Sequence, residues 1–168
     1  DVSDNTRLAG TIAARGKGAI AVQSTGNIGG AMVLQGTITA SGYRFTTPPA
    51  DPSKLDADDL LQGGPAVSIE GNVANGIIVA VPPKDNSTTD NDEDDDGVVD
   101  ANETTATITA LGAAPAVRIG SASEDISIGA VASSGGYGVV IKGNILGSGV
   151  YEGIAGNGLH IGGTGHDV

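Results

Sequence analysis

Seven acidic residues lie within the twelve positions of "DEDDDGVVDANE" (92–103), and their spacing suits one kind of chemistry. The pattern D-x-D-x-D-G-x5-E is that of the twelve-residue calcium loop. Calcium takes about six to eight oxygen ligands, so alternate carboxylates converge on the ion while Gly97 permits the sharp turn. The sequence therefore predicts a Ca²⁺ site with these ligands: Asp92, Asp94, Asp96, the carbonyl of Val98, Asp100 and Glu103.

The residues in and beside this segment favour a structural ion over a solvated run of charge. Val99 follows the carbonyl ligand, a position that is normally apolar, and we expect it to face inward. The flanking "KDNSTT" and "TTATITAL" do not have the pattern of the helices that flank calcium sensors. The segment resembles the helix-free calcium loops of thrombospondin type-3 and related bacterial repeats, which implies a structural role.

Short apolar alternations predict the elements that position this loop. Pairs such as Val67/Ile69 and Val139/Ile141 have the period of two that is typical of strands. Val117, Val139 and Leu159 follow one another at spacings of about twenty residues, which predicts stacked coils. One Gly-containing turn recurs in "RLAGTI", "VLQGTI", "SIEGNV" and "VIKGNI", with Gly and Asn predicted at positive-φ corners. We predict an all-β solenoid, with an antiparallel β-sandwich or meander as the alternative.

Two Pro-containing polar insertions, residues 42–64 and 82–106, interrupt the repeat. The first predicts a short helix that is capped at Ser53 or Asp56, runs through Leu61 and stops at a Gly pair. Its Tyr43–Phe45 segment predicts either a contact patch or packing onto the solenoid. The second insertion contains the calcium loop.

Three residues near the end of the chain carry weaker signals. "GGTGHDV" (162–168) matches the start of a calcium-binding repeat with Asp167 as ligand, but one copy does not build the shared coordination shell. His160 alternates with apolar neighbours and should face outward. Neither His160 nor His166 has an obvious Ser or carboxylate arrangement around it, so both are predicted to be surface residues.

Composition limits the partners of this chain. The 168 residues suit one domain, 1–168, and the absence of cysteine excludes disulfides and thiolate zinc sites. A net charge of −12 with only eight Lys and Arg argues against nucleic acid and anionic membranes as partners. No stretch approaches the roughly 18 apolar residues of a membrane helix, so we expect no direct membrane insertion by this segment.

Three segments carry a family resemblance: "KLDADDLLQGGPAVSIEGNVANGI", "PPKDNSTTDNDEDDDGVVDANETTATITALGAAPAVRIGS" and "GVVIKGNI". They resemble passenger regions of autotransporter-like outer-membrane proteins from alphaproteobacteria, over residues 42–161. The resemblance implies a right-handed parallel β-helix with two long loop insertions, secreted or displayed at the bacterial outer membrane. The chain would then be a passenger piece, without the membrane barrel that normally follows.

These observations predict a calcium-stabilised extracellular surface module that is not an enzyme and has a structural or adhesive role, with a host surface or a glycan as ligand. Unpaired strand edges at the terminal coils predict self-association or further solenoid coils, extending to a filament or stalk. The alternative is a polysaccharide lyase or hydrolase with Arg118 in "AVRIG" as base. The scarcity of aromatic platforms for sugar rings argues against that alternative.

Overall fold

Twelve short strands form three parallel sheets of four strands each in the computed structural model, which describes residues 1–42, 44–95, 97–132, 134–163 and 165–168. The predicted all-β class is confirmed. Parallel pairing rules out the antiparallel sandwich or meander, and the arrangement is consistent with a parallel β-solenoid.

The chain passes through the three sheets in turn, and each set of three successive strands is called a coil below. The first coil contains β1 (Thr6–Leu8), β2 (Thr11–Arg15) and β3 (Val22–Ser24). The second contains β4 (Met32–Leu34), β5 (Thr37–Ser41) and β6 (Val67–Ile69). The third contains β7 (Ile77–Val79), β8 (Thr107–Leu111) and β9 (Pro115–Ile119). The fourth contains β10 (Val139–Ile141), β11 (Asn144–Ser148) and β12 (Asn157–Ile161).

The core consists of columns of like side chains that the register places above one another. In the second sheet Ile12, Ile38, Ile108 and Ile145 form one such column across the four coils. The two middle members are fully buried, while the two at the ends are only partly buried. Burying one such side chain contributes about 1.5–3 kcal/mol, so regular stacking can stabilise a core that is built without large aromatics.

The repeat predicted from spacings of about twenty residues is not the coil. Thr6 pairs with Met32 in the next coil, 26 residues along the chain, and this is the coil without a long insertion. Val117 lies in β9 and Val139 in β10, which belong to different sheets. The predicted coil length is wrong because the strands of all three sheets have the same apolar alternation. The spacing between two such strands therefore does not show whether they belong to the same sheet.

The recurring Gly turn marks a real corner in two of its copies. Gly10 and Gly36 have φ values of 95° and 81°, where only glycine is free of strain. They stack so closely that a side chain on Gly36 would overlap the backbone of Gly10. The amide of Thr37 donates to the carbonyl of Gly10 at 2.8 Å, which ties the two corners together.

The Gly-Asn pair of "SIEGNV" lies at a different corner, and there the asparagine acts through its side chain. Asn72 donates from its amide and from Nδ2 to Asn27 Oδ1, both at 2.9 Å. The amide of Ser127 then donates to Asn72 Oδ1 at 2.7 Å. The positive φ predicted for asparagine at such corners is therefore wrong here, since neither Asn27 nor Asn72 has a positive φ. The two side chains form a hydrogen-bonded ladder between coils.

The first insertion contains a 3₁₀ helix at Pro52–Lys54 in place of the predicted longer helix, and its N-cap is Asp51. Asp51 Oδ1 accepts from the amide of Ser53 at 3.2 Å. Further on, Asp59 Oδ2 accepts from the amide of Asp56 at 3.3 Å. Such local side-chain bonds compete with helix formation, which accounts for the difference.

The same insertion packs against the connection between β11 and β12. The rings of Phe45 and Tyr151 meet edge to face with centroids 6.3 Å apart. The Tyr151 hydroxyl donates to the carbonyl of Asp59 at 2.6 Å. Of the two predicted roles, these contacts support packing of the insertion onto the solenoid and not a contact patch. Tyr43 of the predicted patch lies outside the described residues.

Candidate metal site in the acidic insertion

The acidic segment forms a closed loop between β7 and β8. The amide of Asp100 donates to the carbonyl of Asn91 at 2.9 Å and thereby joins the two ends of the loop. Asp92 Oδ2 accepts from the amide of Gly97 at 2.9 Å. Gly97 has a φ of 86°, so the turn predicted at this glycine is present. A second 3₁₀ helix, Asp100–Asn102, leads out of the loop.

Two carboxyl groups lie side by side inside this loop. Both oxygens of Asp100 and Oε2 of Glu93 are shielded from solvent, and the two carboxyl groups are hydrogen-bonded to each other. A proton shared with Glu93, followed by desolvation and by the charge of Glu93, raises the pKa of Asp100 to about 6. Two carboxyl groups this close repel each other when both are ionised, unless a proton or a cation lies between them.

Glu103 joins the loop to the first two coils. Its side chain is only 2% exposed and forms an ion pair with Arg7 of β1. The same oxygen, Oε1, accepts from Gln35 Nε2 at 2.8 Å, and Gln35 in turn accepts from Arg7. The other oxygen, Oε2, is buried without a donor among the described residues. Glu103 therefore offers a metal ion one oxygen, because the other is committed to the coils.

The other predicted ligands differ in their solvent exposure. Asp92 and Val98 are half-buried and Asp94 is exposed. Asp96 lies outside the described residues. Val99 is 38% exposed, so the predicted inward position is wrong. Its backbone instead begins the short helix, with its carbonyl accepting from the amide of Asn102 at 2.8 Å.

Sequence reasoning missed three residues of this site. Glu93 occupies a position of the calcium motif that ordinarily carries no ligand. Arg7 and Gln35 lie 96 and 68 residues from Glu103 along the chain, and only the stacking of coils brings them together. No local pattern in the sequence signals such a contact.

The described acids of the calcium loop do not bring three carboxylate oxygens within 4.8 Å of one another. Among the described residues, the acidic cluster that does so lies in the first insertion and could hold a metal ion. It consists of Asp56, Asp58 and Asp59, whose carboxylate oxygens lie within 4.8 Å of one another. Its buried member, Asp59, already accepts from Arg44 Nη1 at 3.0 Å. Arg44 thus supplies a positive charge that a cation would otherwise supply.

Arg118 belongs to a polar network on the outer face of the third sheet. It donates to Glu70 Oε1 at 2.6 Å and to Ser68 Oγ at 3.0 Å. Hydrogen bonds from Ser68, Gln23 and Arg118 lower the pKa of Glu70. A guanidinium held in this ion pair is poorly placed to act as the base of a lyase.

The two histidines differ from each other. His160 is exposed, as predicted, with Nε2 3.0 Å from the carbonyl oxygen of Gly162. His166 does have a carboxylate partner, contrary to the prediction, since Nδ1 lies 3.2 Å from Asp125 Oδ1. The amide of Asp167 donates to the same oxygen at 3.0 Å. Asp167 makes this contact through its backbone amide. The contact therefore does not bear on the predicted role of the Asp167 carboxylate as a calcium ligand.

Comparison of this chain with family models, with curated proteins and with solved structures finds no match in any of the three. Among the described residues, no helix has the length and apolar character needed to cross a membrane. Any functional conclusion therefore rests on the residues and their geometry.

Proposed function

We propose that this chain is a calcium-stabilised module with a right-handed parallel β-helix fold and a structural or adhesive role at the bacterial cell surface. The observation that carries the proposal is the buried Oε2 of Glu103, which has no donor among the described residues, together with the adjacent carboxyl groups of Asp100 and Glu93. They lie in a loop whose sequence has the calcium spacing. Hard carboxylate oxygens suit calcium, which is abundant outside cells.

The spacing of the acidic residues in the loop suits such an ion. The predicted ligands Asp92, Asp94, Asp96, Val98, Asp100 and Glu103 would hold it. Calcium would neutralise clustered carboxylates that repel one another without it. Because Glu103 also contacts Arg7 and Gln35, an ion on Glu103 Oε2 would join the insertion to the first two coils. In this proposal the ion acts on the stability of the fold.

Calcium should raise the melting temperature of the chain. Extracellular sites with a Kd of about 0.1 mM would add about 2.7 kcal/mol at roughly 10 mM calcium. For a domain of this size, that corresponds to about 5–10 °C. The Asp100→Asn variant should lose this shift, yet melt a few degrees higher than the parent in EDTA, because the repulsion from Glu93 is removed.

Thermal melting with and without calcium, paired with calorimetric titration, makes this measurement. The control variant Asp56→Asn, Asp58→Asn removes two charges from the other acidic cluster and should keep the calcium shift. No heat of binding and no shift in the parent chain would refute the proposal. Loss of the shift in the control alone would move the ion to the first insertion.

A second role, stacking of a further coil or of a second copy, is favoured by the end of the fourth coil. Ile141 and Ile161 are 46% and 51% exposed. Their register partners in the third coil, Val79 and Ile119, are fully buried members of the core. The fourth coil therefore presents core side chains and open strand edges, which favour strand pairing with another copy.

Self-association should depend on those inward positions. Ile161→Lys is expected to keep the chain monomeric at concentrations where the parent associates, as measured by sedimentation velocity. Leu146→Lys is the matched control, because Leu146 is 53% exposed but its column partner Thr109 lies on the outer face. Equal association of both variants, or a monomeric parent at millimolar concentration, would count against stacking.

A further inference from the structure

All three sheets are open at the same two ends of the solenoid. Each sheet ends in a strand of the first coil on one side and in a strand of the fourth coil on the other. Among the described residues, no strand pairs with the outer edge of β10, β11 or β12. These edges keep unpaired backbone N–H and C=O groups that another strand can bind. A partner that fills all three edges must supply three parallel strands at once.

The first coil has the cross-section that this end requires. In each sheet its strand lies in unbroken register with the strand of the fourth coil, through the two coils between them. Thr11 aligns with Asn144 in the second sheet. Val22 aligns with Leu159 in the third. The first coil of a second copy can therefore lie on the fourth coil in the register that is already used inside the chain.

Three apolar columns of the core would continue across such a contact. In each, an incompletely buried side chain of the fourth coil meets its counterpart in the first coil of the second copy: Ile141 with Leu8, Ile145 with Ile12 and Leu159 with Val22. Two further columns, those of Val139 and Ile161, would meet the small polar side chains of Thr6 and Ser24. Stacking therefore removes apolar surface of both copies from water.

The charges at the two ends favour the first coil over another fourth coil as the partner. Residues 120–168 carry one Lys and four Asp or Glu, so contact between two fourth coils would bring like charges together. Apart from Arg7, which is paired inside the chain, residues 1–24 carry two basic and two acidic residues. Lys17 and Glu152 also lie at the same corner of the solenoid, between the second and third sheets.

We propose that the partner of the fourth coil is the first coil of a second copy, which adds one strand to each of the three sheets. This inference rests on the stacking role proposed above and names the surface that meets the fourth coil. The two surfaces differ, so each copy keeps one free end after it has bound another. The contact is therefore heterologous and builds an open filament instead of a closed dimer.

Disulfides between introduced cysteines identify the surfaces in contact, because the chain has no cysteine of its own. Thr11→Cys and Asn144→Cys place one thiol each on the first and the fourth coil, at exposed positions of one column. In the proposed stack their Cα atoms are about 4.8 Å apart, within the roughly 4.4–6.8 Å that a disulfide spans. Within one chain they are three strands apart, at about 14 Å, so a bridge must join two copies.

The two single variants are mixed in a glutathione buffer at a concentration where the parent associates, and mass spectrometry identifies the covalent products. We expect the mixed dimer to exceed either homodimer by about tenfold. The control replaces Thr11→Cys with Ala13→Cys, which is exposed on the same face two residues along β2. This shift increases the Cα separation to about 8 Å, so the mixed dimer should decrease by about tenfold. Thermal melting checks that each variant keeps the fold.

The outcomes separate this inference from the role on which it rests. An excess of either homodimer would overturn the contact between first and fourth coils and leave self-association in place. Equal yields of mixed dimer with Thr11→Cys and with the Ala13→Cys control would overturn the register, and with it the assignment of the first coil. A parent that stays monomeric at millimolar concentration overturns stacking itself.

Discussion

Replacing Arg7 with Met is expected to lower the free energy of unfolding in EDTA by about 3 kcal/mol, since the change removes one partner of a buried ion pair. Glu103 is almost fully buried, and its Oε1 would keep only Gln35 of the two donors described for it. Methionine retains most of the apolar stem, so the effect is mainly that of the missing charge. Urea unfolding in EDTA measures the loss.

Calcium should offset part of the loss in the Arg7→Met variant. An ion on Glu103 Oε2 supplies a positive charge to the carboxylate that Arg7 no longer reaches, so the gain on adding calcium should exceed that of the parent. Arg15→Met is the matched control, because Arg15 is exposed at the end of β2, the next strand along the chain, and the change should affect stability little. A calcium gain equal to that of the parent would argue against an ion next to Glu103.

Shortening Ile108 to Ala is expected to cost about 3–4 kcal/mol, because it leaves a cavity in a fully packed column. Ile108 is completely buried, with Ile38 on one side and Ile145 on the other. The cavity is lined by side chains that the strand pairing holds in place, so the surroundings can collapse into it only partly. Urea unfolding measures the change.

Ile145→Ala tests the same column at its end. Ile145 is only partly buried and has a neighbour from one coil, so the expected loss is about half as large. Both variants remove the same atoms from the same sheet. Equal losses would mean that the fourth coil is not the end of the column, as it would be if another copy covered it.

The geometry of the acidic loop could be predicted in part from the sequence, since the spacing of the calcium motif is local. The turn at Gly97 and the placement of Asp100 and Glu103 in one loop follow from that spacing. The inward position of Glu93 and the contact of Glu103 with Arg7 could not be predicted. Both depend on how the insertion lies against coils that are distant in the chain.

The sequence by itself determined the β class, because short alternating runs of Val and Ile allow only strands with one apolar face. It also predicted two insertions, at residues 42–64 and 82–106, but not the long connection from β9 to β10. Only the tertiary structure decided the coil length and the stacking register, since alternation with a period of two is the same in all three sheets. The tertiary structure likewise decided which donors reach the buried acids, because contacts between coils join residues that no local pattern relates.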